Sequence, residues 1–353
     1  MDLQQRINAF VKLGEFLGQF SIDGIIKKGG ILHNDLFFDG FNHQIKLASE
    51  SNGWFTRDNM LYAFTGWSKE LVRSNIEKWL SPYPFTNTSP KRIGVIMAGN
   101  IPLVGFHDFL SVLISGHMVL VKQSSNDKHL LPFISKYLEF VEPQFKGRIY
   151  FTEDKLENFD AVIATGSDNT ARYFEYYFRN KPSIIRKNRN SIAILTGNET
   201  DEQLKALSND IFRYYGLGCR SVSKLFVPRS YDFDAFFNAM YDWHPIIQEA
   251  KYANNYDYNK AVYLMSEFDM LENGFLMIKE DENYGSPIAT IFYEYYESID
   301  QLRSKLERDN EKIQCIVADG FDENEVKFGQ TQLPKLWDYA DGIDTISFSL
   351  KIC

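Results

Sequence analysis

The sequence predicts an α/β protein built on a parallel sheet, and three observations support this prediction. Short apolar runs typical of buried strands alternate with helical patterns from Arg92 onward. Breaks such as Asn-Ile-Pro at 100–102 and Ser-Gly at 115–116 separate these runs from the helices. The 353 residues are 44% apolar and 24% charged, an ordinary globular composition. At roughly 100–200 residues per domain, this length favours two domains.

The hydrophobic spacing predicts the elements in order. Residues 1 to about 90 show helical spacing, and one long helix is predicted from Thr56 through Leu80. The alternation of strands and helices then begins. Strands are predicted at 92–97, 118–121, 148–151, 161–164, 192–195, 222–227, 288–292 and 313–317, and helices at 103–114, 127–140, 168–178 and 201–214.

Charge and composition exclude several classes of function. The 38 basic and 47 acidic residues give a net charge of −9, which argues against a nucleic-acid-binding protein. No apolar run reaches the ~18–20 residues of a membrane span, and the polar N-terminus is not a secretory signal. The three cysteines, Cys219, Cys315 and Cys353, are too few for a disulfide framework, so we expect a reducing, cytoplasmic compartment. His107 and His117 have no partners at metal-ligand spacing, so no metal site is expected.

Cys219 is the main candidate for a nucleophile. It ends the sequence Gly-Leu-Gly-Cys at 216–219, directly before a predicted strand. The glycines allow a tight turn and leave room for a substrate carbonyl, while Arg220 and Lys224 favour the thiolate over the thiol. The alternative is a structural cysteine, because free cysteines are usually buried and inert. This loop alone does not decide between the two.

Three other loops follow predicted strands and carry polar groups. The Asn100 carboxamide could donate a hydrogen bond to an oxyanion, although a turn asparagine beside proline is the commoner explanation. Gly166 and Ser167 open a helix whose backbone N–H groups could hold a phosphate. Lys122 ends the second strand, where it either binds a ribose or phosphate or is simply a solvated lysine.

The order and spacing of these four loops resemble the aldehyde dehydrogenase superfamily. In that family the asparagine forms the oxyanion hole, the lysine contacts the cofactor ribose, the Gly-Ser pair lies beneath the cofactor pyrophosphate, and the cysteine is the nucleophile. Three segments are similar to its acyl-CoA reductase branch, which contains the fatty acid reductase of bacterial bioluminescence. They are Trp-Phe-Thr at 54–56, Met-Ala-Gly-Asn-Ile-Pro at 97–102 and Phe-Gly-Gln-Thr-Gln at 328–332. The resemblance covers most of residues 54–350.

The resemblance implies two Rossmann-like α/β domains with the active site between them. We expect N-terminal helices and a nucleotide-binding domain over 1–190, and a catalytic domain with the cysteine over 191–325. A C-terminal tail over 326–353 is expected to return to the first domain.

The resemblance also implies NADPH as the cofactor. Lys122, Ser124, Gly166 and Ser167 are its expected contacts. Lys122 and Ser124, with Gln123 between them, could accept a 2′-phosphate, and no acidic residue directly follows that strand.

Two family motifs are missing. Aldehyde-oxidising members carry a Glu-Leu-Gly-Gly stretch whose glutamate activates water, but residues 186–191 here read Arg-Lys-Asn-Arg-Asn-Ser. The Glu-x-Phe-Gly-Pro motif, whose glutamate holds the nicotinamide ribose, corresponds to Asn-Tyr-Gly-Ser-Pro at 283–287. Hydrolysis of a cysteinyl thioester needs a base to deprotonate water. The loss of that base therefore favours thioester reduction over aldehyde oxidation.

These features predict an NADPH-dependent acyl-CoA reductase with a fatty acyl chain as the expected substrate. The Cys219 thiolate attacks an acyl-CoA or another acyl thioester, and the oxyanion is held by Asn100 and the Cys219 backbone N–H. Hydride transfer to the acyl-cysteine then yields the aldehyde. Three alternatives remain: a cysteine acyltransferase or thioesterase without hydride transfer, a non-catalytic binding protein of this fold, and a reductase of amino-acid acyl phosphates. A homodimer is left open.

Overall fold

The computed structural model describes residues 1–85 and 89–352 of the chain. The chain divides into two compact units. The first consists of Met1–Lys187 together with Lys335–Cys353, and the second is Asn188–Pro334. The first unit therefore combines both ends of the chain. None of the helices among the described residues has the length and apolarity needed to cross a membrane.

The first unit begins with helices that bury a large aromatic core. Helix α1 starts at Asp2, whose carboxylate accepts a hydrogen bond from the Gln5 N–H while the Gln5 side chain accepts one from the Asp2 N–H. Phe10, Phe16 and Phe41 are fully buried in the core that these helices form. The elements of this part are α1 (Leu3–Leu17), β1 (Phe20–Ser21), β2 (Gly24–Ile25), α2 (Asn34–Ser51), α3 (Arg57–Glu70) and α4 (Arg73–Leu80).

The single helix predicted from Thr56 through Leu80 is wrong, because the structure has the two helices α3 and α4 there. The backbone leaves helical geometry at Leu71 and becomes extended at Val72. Leu71 is buried directly against α1, where a Cβ atom placed on Gly14 would lie 2.6 Å from the Leu71 carbonyl oxygen. This close packing turns the chain at a point where the hydrophobic spacing predicts a continuous helix.

A five-stranded parallel sheet, counted over the described residues, forms the centre of the first unit, which confirms the predicted fold class. Its strand order is β5-β4-β3-β6-β7. Buried Val, Ile and Ala side chains on β3, β4 and β6 account for the apolar runs in the sequence. The elements are β3 (Arg92–Ile96), α5 (Phe106–Ile114), β4 (Met118–Lys122), α6 (Leu130–Val141), β5 (Ile149–Phe151), β6 (Ala161–Thr165), α7 (Asp168–Phe178), β7 (Ser183–Arg186) and, from the C-terminal segment, α12 (Thr345–Leu350).

Two helices in this unit start later than predicted. The helix predicted from residue 103 begins at Phe106, because Leu103 has a φ of 57°, which a right-handed helix does not allow. The helix predicted from residue 127 begins at Leu130, because the N–H of Asp127 closes a turn on the Ser124 carbonyl. Both differences lie in loops that follow strands.

The second unit contains a mixed sheet, with six strands among the residues that the structure describes, in the order β10-β11-β12-β9-β8-β13. The neighbouring pairs β11–β12, β12–β9, β9–β8 and β8–β13 are parallel, and β10 pairs with β11 in the antiparallel direction. Sequence patterns missed α9, α10, α11, β10 and β11. The two strands have only 3 and 4 residues, whereas α9 and α11 bury apolar residues at helical spacing that was not predicted. The elements are β8 (Asn190–Ile194), α8 (Asp201–Phe212), β9 (Val222–Pro228), α9 (Phe233–Met240), α10 (Ala250–Met265), β10 (Met270–Glu272), β11 (Met277–Glu280), β12 (Thr290–Tyr296), α11 (Ile299–Arg308) and β13 (Ile313–Val317).

A buried ion pair ties the C-terminal helix to the sheet of the first unit. Arg186, at the end of β7, pairs with Asp108 of α5, and both side chains are less than a tenth exposed. Arg186 also donates a hydrogen bond of 3.1 Å to Thr345 Oγ1 at the start of α12. Breaking a buried pair leaves an uncompensated charge away from water.

We expect Asp108→Ala to lower the free energy of unfolding by about 3–5 kcal/mol, because it strands the Arg186 guanidinium in the core. Denaturant titration of the first unit's unfolding measures this loss. Glu77→Ala is the control, since its exposed pair with Arg73 in the same unit should contribute less than about 1 kcal/mol. A loss for Asp108→Ala as small as that of the control would contradict the prediction.

Candidate active site

Three polar loops lie at one edge of the parallel sheet in the first unit. The segment with Asn100 follows β3, Lys122 and Ser124 lie at and just after the end of β4, and Gly166 follows β6. These three strands are neighbours, with β3 in the middle. After β3 the chain adds β4 and then β5 on one side of β3, and it then returns to form β6 on the other side of β3. Ligands of parallel α/β sheets bind at such a switch point, beyond the carboxyl ends of the strands.

The loop with Asn100 packs tightly on the loop that follows β4. A Cβ atom placed on Gly99 would lie 2.5 Å from both Cβ and Oγ of Ser124, so glycine is needed there. The Leu103 N–H donates to the Asp127 carboxylate at 3.2 Å, which holds the left-handed turn after Asn100. Burial raises the pKa of Asp127 to about 6, although this hydrogen bond lowers it. The segment that carries Asn100 is therefore fixed by its neighbours.

The expected cofactor contacts have defined partners at the same edge. Lys122 Nζ donates a hydrogen bond of 3.0 Å to the Asp154 carbonyl, and an ammonium group has two more donors. Ser167 caps α7, because its Oγ accepts from the Thr170 N–H at 3.4 Å. A Cβ atom placed on Gly166 would lie 3.0 Å from the Thr170 side chain. The start of α7 thus presents backbone N–H groups at the carboxyl edge of the sheet, as the sequence predicts.

The loop before Cys219 contains a strained turn that the sequence did not predict. The helix predicted to reach Tyr214 ends at Phe212, and Tyr214, Tyr215 and Gly216 all have positive φ values of 55°, 59° and 73°. Bulky residues rarely adopt this left-handed conformation, and such strain clusters at functional sites. A hydrogen bond of 2.9 Å from the Ser221 N–H to the Gly218 carbonyl then closes a second turn around Cys219.

Cys219 is half-buried within the second unit, whereas Cys315 is buried. Its Sγ donates to Oδ1 of Asn188 at 3.8 Å, and its carbonyl accepts a hydrogen bond of 2.9 Å from Ser191 Oγ. Both partners belong to the stretch 186–191, which corresponds to the Glu-Leu-Gly-Gly stretch of the aldehyde-oxidising enzymes. That correspondence is the sequence signal for Asn188, which the sequence analysis does not name as a site residue.

Lys224 does not serve the thiolate as expected. Its side chain is fully buried, and Nζ lies 2.7 Å from the Glu294 carboxylate and 2.8 Å from the Asp281 carbonyl. Burial lowers the pKa of Lys224, and the hydrogen bond to Glu294 raises it. Its charge is thus compensated inside the sheet of the second unit. Arg220 directly follows Cys219 in the sequence, and its Nε donates a hydrogen bond to the Thr331 carbonyl.

The stretch 283–287 follows β11 in the second unit and is held by Asp281 and by Ser223. Asn283, which replaces the family glutamate, donates through its N–H and its amide to the Asp281 carboxylate at 2.9 and 2.8 Å. The Tyr284 carbonyl accepts a hydrogen bond of 2.8 Å from Ser223 of β9. No cluster of three or more His, Cys, Asp or Glu side chains that could hold a metal ion is found in the described part of the chain.

Comparison with known proteins finds one family model that matches part of the chain. Residues 69–239 match the family model described as acyl-CoA reductase (LuxC). No curated protein is a significant match to the sequence.

Solved aldehyde dehydrogenases share the fold at low sequence identity. A mutant of the indole-3-acetaldehyde dehydrogenase AldA of P. syringae, solved with NAD+ and IAA, is 13% identical with a TM-score of 0.64, over 95% of this chain and 75% of that one. Aldehyde dehydrogenase 21 of Physcomitrella patens, in complex with succinate, is 11% identical with a TM-score of 0.65, over 99% and 84%. An aldehyde dehydrogenase of Bacillus cereus is 15% identical with a TM-score of 0.62, over 92% and 72%.

The matched family and the shared fold agree with the order of the four polar loops along the chain. The chain therefore has the aldehyde dehydrogenase fold, and its residues 69–239 are similar to the acyl-CoA reductase (LuxC) family.

Proposed function

We propose that the chain is an acyl-CoA reductase that converts an acyl thioester, with a fatty acyl chain as the expected substrate, to the aldehyde through an acyl-cysteine at Cys219. The observation that carries this proposal is the surroundings of the sulfur. Cys219 is half-buried in a strained turn, and a side chain in contact with its Sγ is the carboxamide of Asn188. A carboxamide cannot deprotonate water, so this contact gives the acyl-enzyme no base for hydrolysis.

In the proposed reaction the Cys219 thiolate adds to the thioester carbonyl. The Asn100 side-chain amide and the Cys219 backbone N–H donate to the oxyanion, which has its greatest charge in the tetrahedral intermediate. Collapse of that intermediate breaks the bond to the coenzyme A sulfur and leaves the acyl-cysteine. Reduction of the acyl-cysteine gives a thiohemiacetal, which releases the aldehyde and restores the thiol of Cys219.

The hydride is supplied by a nicotinamide cofactor, for which we favour NADPH. Gly166 and Ser167 at the start of α7 fit a pyrophosphate, because a helix N-terminus attracts anions through its backbone N–H groups. Lys122 and Ser124 at the end of β4 fit the adenosine ribose or its 2′-phosphate. The NAD+ complex of the P. syringae neighbour supports a nicotinamide in this fold. The preference for NADPH over NADH is supported by the absence of an acidic residue directly after β4.

Incubation of the purified protein with a panel of acyl-CoA chain lengths, with NADPH or NADH, tests the proposed function. We expect NADPH consumption and aldehyde formation in equal amounts, with slower turnover on NADH. Loss of the thioester without NADPH consumption would instead indicate a thioesterase or acyltransferase. Alkylation of Cys219 no faster than that of a free thiol would favour a non-catalytic protein.

Asn188→Asp should convert part of the reductase activity into hydrolysis. The substitution keeps the shape of the side chain and places a general base near the thioester, and such bases typically contribute about 10²–10⁴-fold. We expect the acyl-enzyme to be hydrolysed at least about tenfold faster, with oxidation of aldehydes to acids by NADP+ becoming measurable. Single-turnover release of the free acid without cofactor measures this change.

Asn198→Asp is the matched control, because it adds the same charge at an exposed position of the same unit. Hydrolysis at the wild-type rate in Asn188→Asp would show that Asn188 does not set the fate of the acyl-enzyme.

The cellular setting follows from the same chemistry. A catalytic thiol must stay reduced, so we propose that the protein acts in the cytoplasm. A homodimer stays a prediction, which the mass of the protein in solution would test.

A further inference from the structure

The segment 328–332 contacts the residues directly after Cys219. Arg220 Nε donates to the Thr331 carbonyl, and Gln332 Nε2 donates a hydrogen bond of 3.2 Å to Ser221 Oγ. Ser221 is buried, and its N–H closes the turn around Cys219. The turn is thus held from outside by a segment more than 100 residues away in the sequence.

A single buried carboxylate orders the segment 328–332. Asp210 of α8 accepts three hydrogen bonds from it: one from the Gly329 N–H at 2.6 Å, one from the Thr331 N–H at 2.9 Å and one from Thr331 Oγ1 at 2.8 Å. Asp210 and Thr331 are both fully buried. Gly329 has a φ of 79°, and a Cβ atom placed there would lie 3.0 Å from Cβ of Ala206 on α8. The glycine therefore lets the segment approach the helix closely enough to reach Asp210.

We propose that Asp210 is a positioning residue for the nucleophile: its carboxylate fixes Gly329 and Thr331, and the Thr331 carbonyl with Gln332 fixes the turn that carries Cys219. This inference rests on the proposed function in so far as Cys219 is the nucleophile. Asp210 has no assigned place in the reaction, and it acts only through the segment 328–332.

The chemistry of this contact requires an ionised carboxylate. Three donors converge on Asp210, and only an acceptor with lone pairs on both oxygens satisfies them all. An asparagine would turn its NH₂ group toward either the Gly329 N–H or the two Thr331 donors. One of these buried donors would then lose its acceptor, which is costly in the interior.

The same contact makes the turn sensitive to acid. Burial raises the pKa of Asp210 to about 6, while the hydrogen bonds from Thr331 and Gly329 and the positive charge of Arg220 lower it. Below about pH 6 the carboxyl carries a proton and can no longer accept from all three donors. The pKa of Asp210 is higher in the folded protein than in the unfolded chain. Protonation of Asp210 therefore stabilises the fold as the pH falls through this window. Because alkylation also slows as the thiol itself is protonated, the effect of the turn is the difference between wild type and Asp210→Asn at each pH.

The test compares Asp210→Asn with wild type in two measurements that need no acyl substrate. The first is the rate of Cys219 alkylation by iodoacetamide from pH 5 to 9, read by peptide mass spectrometry, at about 25 °C. The second is hydrogen–deuterium exchange of the peptides covering 216–222 and 328–332. Asp201→Asn is the matched control, because it removes an exposed carboxylate from the same helix.

We expect wild type to show an inflection near pH 6 in the alkylation profile, and Asp210→Asn to lack it. Exchange in Asp210→Asn should rise at least about tenfold in the two peptides and stay unchanged in β8 and β12. General destabilisation would instead raise exchange in the strands as well. Acylation by acyl-CoA, where it occurs, should slow by about 10–100-fold, since a displacement of the order of 1 Å has such effects.

Thr331→Val and Thr331→Ser keep the proposal testable if Asp210→Asn does not fold. The valine removes one of the three donors at equal size, and the serine keeps the hydroxyl, so only the valine should increase exchange of the Cys219 turn. A folded Asp210→Asn with the wild-type alkylation profile and exchange, or a Thr331→Val equal to Thr331→Ser, would overturn the proposal. If these variants show the expected increase in exchange while wild type does not reduce acyl-CoA, that result would overturn the proposed function and leave this inference standing.

Discussion

Cys219→Ser should form no acyl-enzyme with acyl-CoA and should lose at least about 10³-fold of its NADPH-dependent reductase activity. A serine hydroxyl stays protonated at neutral pH, whereas a cysteine already provides some thiolate and is intrinsically more nucleophilic. The turn and the partial burial of residue 219 should hold a serine in the position of the cysteine. The loss of activity would therefore measure the contribution of the sulfur. Steady-state turnover and mass spectrometry of the 216–222 peptide measure the two effects.

Cys315→Ala is the control for this substitution, because it removes the buried thiol of β13 in the same unit. Its turnover should stay within about twofold of wild type, as expected for a buried cysteine outside the Cys219 turn. NADPH should bind Cys219→Ser with nearly unchanged affinity. A Cys219→Ser variant that retains more than a tenth of the activity would contradict the assignment of the nucleophile.

Asn100→Ala should slow acylation by about 10²–10³-fold, the effect typical of the loss of one oxyanion-hole donor. The charge on the substrate oxygen is greatest in the tetrahedral intermediate, so the loss appears in the rate of acylation and hardly in substrate binding. Rapid-mixing measurement of coenzyme A release separates acylation from the later reduction. Fluorescence titration with NADPH checks that the cofactor still binds.

Asn126→Ala is the matched control, because it removes an exposed carboxamide from the neighbouring loop after β4. It should acylate at the wild-type rate. If Asn100→Ala keeps near-normal acylation, the asparagine is a turn residue, and the oxyanion must be stabilised by other donors.

The sequence predicted the sheet well because buried parallel strands are nearly continuous apolar runs. The runs at 92–97 and 118–121 correspond to β3 and β4, and the polar residues after them lie at one edge of the sheet. The match of short motifs to a family was possible because these loops are fixed relative to strands. The order of the loops along the chain therefore carried most of the functional information.

The features that the sequence did not predict depend on contacts between distant residues or on backbone strain. The break at Leu71 depends on Gly14 of another helix, and the pair of Lys224 with Glu294 joins two strands. The left-handed turn at Tyr214 and Tyr215 contradicts local preference, which favours glycine or asparagine there. Local spacing contains no information on such tertiary effects.

Peptide mass spectrometry after mixing the protein with acyl-CoA in the absence of cofactor tests the central claim most directly. We predict a mass increase equal to one acyl group on the peptide with Cys219, stable until NADPH is added and then lost as the aldehyde appears. An unmodified Cys219 after incubation with the full chain-length panel would contradict the account, as would an adduct that NADPH does not discharge.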